Sequence, residues 1–215
     1  MILQAIKISN KFYINNLFKI LNKCAIPLIF ISALSAYSSN LSNNVIFITI
    51  ISTLFQIHLT CLLILVTSDI INNTSQSLAN YYFKAIYYIV PLIGIGLFMG
   101  AVLLLGFMAF ILPGIFLLGK FIFAQYSIVL DGKTITEAIE LSWKIDSKKA
   151  WDIGLAIMSM VALWGFCIAT ISSYFMNSDN NINPAFIFIS SLLSFSILNI
   201  YLNIFVITLF FGEKK

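Results

Sequence analysis

The stretch 111-ILPGIFLLGKFIFAQYSIVLDG-132 is apolar enough to lie in lipid, yet it opens on Pro113-Gly114 and carries Lys120 among leucines, isoleucines and phenylalanines. A proline inside a helix removes a backbone donor and crowds the preceding turn. In a first turn the missing N–H has no intrahelical partner to lose. Pro113 therefore marks a helix start, and the preceding apolar run must stop just short of it. An uncharged run from about Ala85 to Ile111 precedes it, and the run it opens ends near Asp131. About 20 apolar residues cross roughly 30 Å of hydrocarbon, so the two read as membrane spans joined by a very tight reversal.

The rest of the chain repeats that pattern. Of 215 residues, 60% are hydrophobic and only 9% charged, against about a quarter charged in a soluble domain. So little charge cannot cover a water-soluble globule. The reading is an all-α polytopic membrane protein: one integral membrane domain over 1–215 with about six transmembrane helices. The other spans are expected at about 24–38, Val45–Thr67, Trp151–Met176 and Pro184–Phe211. The first is short and contains Pro27. Its Ala33-Leu34-Ser35 resembles a signal-peptidase site, but the polar region ahead of it is long for a signal peptide. In the third span, Gly96 and Gly100 form a GxxxG spacing, which lets another helix come close.

Two segments have the 3.6-residue period of amphipathic helices. Over 8–23, Ile14, Leu17, Phe18 and Leu21 share a face opposite Asn15, Asn16, Lys19, Asn22 and Lys23, which predicts a surface helix that turns into the membrane afterwards. Over 134–149, Thr134 and Glu137 fit a capping box and Glu140–Lys144 has the favourable i,i+4 order. Ile135, Ala138, Ile139 and Ser142 line the opposite face, so this helix is expected on the membrane surface, with Trp143 and Trp151 near the interface.

All twelve basic residues are lysines. Apart from Lys120 they fall at the N-terminus (Lys7, Lys11, Lys19, Lys23), in alternate connections (Lys84; Lys133, Lys144, Lys148, Lys149) and at the C-terminus (Lys214, Lys215). The other three connections hold none. By the positive-inside rule both termini are cytoplasmic. The same placement makes the formal charge of +4 a matter of topology, and no nucleic-acid partner is expected.

Chemistry is sparse. Cys24, Cys61 and Cys167 lie far apart without CxxC or zinc spacing, and His58 is the one histidine. There is no HExxH, nucleophile elbow or phosphate-cradling loop. No catalytic, metal or cofactor residues are expected, and the chain is not read as an enzyme. The exceptions to the apolar spans are Lys120 and His58, with Gln56 and Gln125 nearby in the same helices. Counted from Asp131 and Thr67 at about 1.5 Å per residue, both ionisable groups fall near the bilayer centre. A lysine at that depth is expected to turn to the bundle interior or a wet cavity, the alternative being a side chain stretched toward the nearer interface. His58, Lys120, Gln56 and Gln125 are thus the candidate intramembrane polar site.

From about Ser75 to Leu163 the chain resembles the YciC family of bacterial inner-membrane proteins, and the related membrane domain of some glycerophosphodiester phosphodiesterases. The matching positions are Pro113, Gly114, Lys120, Ala138, Ser142 and Trp143, with Trp151 beyond. The resemblance implies a six-span inner-membrane protein and supplies no catalytic residue. Three functions are expected in turn: a non-enzymatic part of envelope organisation or of a membrane complex; a transporter or permease-like subunit, whose amphipathic 134–149 would dock a membrane or cytoplasmic protein partner; or a lipid-handling protein whose lysines attract anionic headgroups.

Overall fold

The computed structural model describes residues 2–38, 45–174 and 184–213. The elements are α1 (Ile2–Ser38), α2 (Val45–Ile71), α3 (Leu78–Tyr87), α4 (Ile89–Ala109), α5 (Ile111–Phe121), α6 (Ala124–Asp131), α7 (Ile135–Trp143), α8 (Ser147–Tyr174), α9 (Pro184–Leu193), a π-helical segment (Ser194–Asn199) and α10 (Ile200–Glu213). Among the described residues there is no strand. Six helical stretches are long and apolar enough to cross a membrane: Ile2–Tyr37, Ile46–Ile71, Ile89–Ala109, Ile111–Asp131, Ser147–Ser173 and Ala185–Gly212. The chain is an all-α, multi-pass membrane protein. The expected 177–183 loop and Lys214–Lys215 lie outside the described residues.

The N-terminus departs from expectation. In place of a surface helix over 8–23 followed by a short span, α1 is one helix of 37 residues, about 55 Å long at 1.5 Å per residue. No turn separates Lys23 from Cys24. Pro27 lies inside the helix, where it deprives the Lys23 carbonyl of its i+4 donor. The Tyr82 hydroxyl donates to that carbonyl at 3.2 Å, so α3 supplies the hydrogen bond that proline removed. The apolar face of 8–23 is divided: Ile14 and Phe18 are exposed, Leu17 and Leu21 pack partly buried against the core, and Ile20, Cys24, Leu28 and Ile31 are buried.

The reversal at Pro113 is as tight as expected. α4 and α5 are joined by Phe110 alone, in extended conformation, and Pro113 lies in the first turn of α5. Gly106 and Gly114 bring the two backbones together: a Cβ on Gly106 would stand 3.1 Å from the Gly114 Cα. Other boundaries move. The third span is preceded by a separate short helix, α3, and starts at Ile89 instead of Ala85. The fourth is two helices, broken at Ile122–Phe123. α8 starts at Ser147, four residues before Trp151.

α7 carries the expected capping box. The Thr134 N–H donates to Glu137 Oε2 at 2.9 Å, and the Glu137 N–H donates to Thr134 Oγ1 at 3.4 Å. The helix stops at Trp143, so 134–149 is not one helix. Its apolar side is covered by protein instead of lipid: Ala138 and Ser142 are buried, and Ile135 and Ile139 pack against the core between α4, α5 and α6.

Helices α5 and α8 meet through a reciprocal pair of glycines. A Cβ on Gly119 would run into the Ala150 carbonyl, and one on Gly154 into the Ile115 carbonyl. On the GxxxG glycines of α4, Gly96 and Gly100, a Cβ would meet nothing within 4 Å. The close helix approach lies elsewhere.

Candidate functional site

Lys120 is only 6% exposed, and among the described residues it is the one buried charged side chain. Its ammonium donates to the carbonyl oxygens of Trp143, at 3.0 Å, and Ile145. These carbonyls lie at the C-terminal end of α7, where the last carbonyls lack intrahelical donors and the helix dipole favours a cation. The rings of Phe116 and Trp143 flank the ammonium, each with its centroid 5.6 Å away. Lys144 and Asp146, on either side of Ile145, are exposed. Charged neighbours of that kind favour water or headgroups, so the ammonium of Lys120 is directed toward the charged end of α7.

The pattern Pro113, Gly114, Lys120, Ala138, Ser142 and Trp143 therefore closes on itself. Pro113 starts α5 and Gly114 seats it on α4; Lys120 then fastens α7, whose Ala138 and Ser142 face inward. Trp143, more than half exposed, lies against Phe121 with ring centroids 5.6 Å apart.

The four-residue polar site does not assemble. His58 lies against the Tyr82 ring at 5.6 Å, while Lys120 turns to α7. Gln56 is exposed, and its carbonyl accepts from Thr60 Oγ1 at 2.9 Å. Gln125 lines a cavity that neither His58 nor Lys120 borders.

Two arrangements lie beyond the sequence reading. Tyr81, fully buried, donates from its hydroxyl to Asp69 Oδ2 at 2.9 Å and accepts from Lys23 Nζ at 3.2 Å and the Gln76 N–H at 3.3 Å. Gln76 Nε2 also reaches Asp69 Oδ2, at 2.9 Å. This hydroxyl bridges a lysine on α1 to a carboxylate on α2, and with the Tyr82–Lys23 bond it ties α1, α2 and α3 together. Lys23 and Pro27 in α1 and Tyr81-Tyr82 in α3 give no periodic signal of it.

The second is a cavity of about 210 Å3 lined by Thr60 and Leu63 of α2, Gln125 and Tyr126 of α6, and Asn199 and Asn203 of the last segment. Asn203 is 6% exposed, and its Oδ1 has no hydrogen-bond partner among the described residues. Both helix irregularities border it: Ile122 belongs to the α5–α6 break, and Asn199 closes the π-helical segment. The i,i+4 spacing of Asn199 and Asn203 in an apolar run is the sequence signal that could have found it.

No family model, curated protein or solved structure matches the chain.

Proposed function

We propose that the chain is a non-enzymatic protein of a bacterial inner membrane, with both termini in the cytoplasm, that works as a component of a membrane assembly. The YciC-like pattern and the one-sided lysines are part of the same proposal. One observation carries it: the ammonium of Lys120 is committed to the Trp143 and Ile145 carbonyls. A hydrogen bond to a charged group is worth about 1.5–3 kcal/mol, a large contribution for holding one short surface helix. It fixes an outward face bearing Glu137, Glu140 and Lys144, which suits a surface that a protein partner reads.

A photo-cross-linker in place of Glu140 tests this in native membranes. The expected result is one discrete adduct in the otherwise wild-type chain that disappears with Lys120→Met and returns with Lys120→Arg. An adduct pattern indifferent to residue 120 refutes the assembly role of α7.

A second reading, a permease-like subunit, is favoured by the cavity at Asn203. Uncharged polar groups gather there from three separate apolar segments beside two breaks in regular helix, the setting in which membrane proteins place solute sites.

A further inference from the structure

We infer that the cavity at Asn203 is a binding site for a small, uncharged solute with hydrogen-bond donor groups, such as a polyol or a simple amide. The inference rests on the same cavity as the permease-like reading but does not require transport.

The chemistry of the lining selects the ligand. Asn203 lines the space on a side chain more than nine-tenths buried, and its Oδ1, itself covered by protein, is an acceptor without a donor among the described residues, so a ligand completes it only as the side chain turns toward the cavity. A buried acceptor of this kind is costly unless another molecule completes it. Gln125 and Asn199 supply further neutral donors and acceptors around the same space, and Thr60 Oγ1, whose proton goes to the Gln56 carbonyl, a further acceptor. Among the described residues no Asp, Glu, Lys or His lines it, so an ion would enter without a counter-charge, at a desolvation cost that the amides cannot offset. Its volume of about 210 Å3 falls below the ~300–1,000 Å3 of drug-sized sites, so the occupant is small.

Trp164 Nε1 donates to Ser194 Oγ at 3.0 Å, tying α8 to the π-helical segment. The rings of Phe123, Tyr126 and Phe210 cluster, with Phe210 5.8 Å from Phe123 and 6.0 Å from Tyr126. Tyr126 lines the Asn203 cavity, whereas Phe123 and Phe210 line a second one of about 290 Å3 beneath α7. That second cavity contains Ser127, Asp131, Ser142 and Lys144, and Ser142 Oγ is again buried without a partner among the described residues. The three rings form one aromatic cluster whose members line both cavities.

Saturation-transfer NMR on the full chain in lipid nanodiscs tests the site with glycerol, urea and acetamide as neutral probes, and acetate and tetramethylammonium as charged ones. The expected result is saturable transfer to at least one neutral probe and none to the charged ones. Asn203→Leu and Thr60→Val should each weaken it about tenfold, the effect of one hydrogen bond. Thr60→Val preserves shape, so it reports on the hydroxyl even if Asn203→Leu perturbs the fold. Absence of saturable transfer, equal transfer to charged probes, or indifference to both substitutions overturns the site. Solute flux into proteoliposomes is a separate readout: saturable binding without flux would end the permease-like reading and leave the site standing.

Discussion

The two ends of α2 are built from the same kinds of residue and do opposite things. From Leu59 to Ser68 nearly every side chain is buried, whereas Ile46, Phe47, Ile50 and Leu54 stand exposed. The same division runs through the molecule. Residues 200–210 and 123–129 are largely buried, while Leu104, Leu105, Met108 and Phe110 at the α4–α5 reversal and Leu163 and Phe166 of α8 are not. In water such an apolar surface would be untenable; in lipid it carries no penalty, because acyl chains are as apolar as leucine. What separates the halves is therefore not hydrophobicity. The packed half has close approaches between helices distant in sequence and polar fastenings: Gly119 with Gly154, Lys120 on α7, and Tyr81 between Lys23 and Asp69; at the α4–α5 reversal Gly106 and Gly114 close only the turn itself. The other half is left to the membrane.

If that distinction holds, glycine substitutions should separate the halves most sharply. Gly119→Ala or Gly154→Ala puts a methyl group into a backbone carbonyl of the facing helix, where overpacking costs about 1–3 kcal/mol or more. Loss of the folded monomer on mild heating in detergent is expected for both. Gly96→Ala and Gly100→Ala, with open space around them, should stay within about 0.5 kcal/mol of the parent.

Next in size is Lys120→Met, which leaves the Trp143 and Ile145 carbonyls without their donor, at about 1.5–3 kcal/mol. Hydrogen exchange should quicken over 135–145 and stay unchanged over 155–174.

A smaller loss is expected for Thr134→Ala, about 1 kcal/mol for a helix cap, seen as faster exchange in the first turn of α7. Acid should act at the same place. Hydrogen bonds from the Thr134 backbone and hydroxyl, with Lys133 adding to them, hold the Glu137 carboxyl below its usual 4.5. A depressed carboxyl stabilises the fold above its unfolded-state value, and that contribution is lost as pH falls through the folded-state value. Fraying of α7 should thus set in below the ordinary carboxylate range, and Glu137→Gln should flatten the dependence.

The fold class is legible because membrane crossing is written in run length and charge, both of which a sequence displays. Pro113 and the Thr134–Glu137 box are legible because their effects are local. The first helix is opaque for the opposite reason: the donor that lets α1 pass through Pro27 is Tyr82, about sixty positions away. Counting along the span likewise misses the setting of Lys120, because the lysine's partners are the Trp143 and Ile145 carbonyls at and just past the end of α7. Gly96 and Gly100 fit a known spacing and face open space, while Gly119 and Gly154, on different helices, fit none. Pairings between distant segments leave no periodic trace.

The division itself can be read directly by labelling the wild-type chain in liposomes with a lipophilic carbene precursor and locating the adducts by mass spectrometry. Phe47, Ile50 and Leu54 should be labelled, together with Met108, Phe110 and Phe166, and Leu62, Ile64 and Val66 of the same helix α2 should be spared. Even labelling along α2 would contradict a molecule with one half packed on itself and the other given over to lipid.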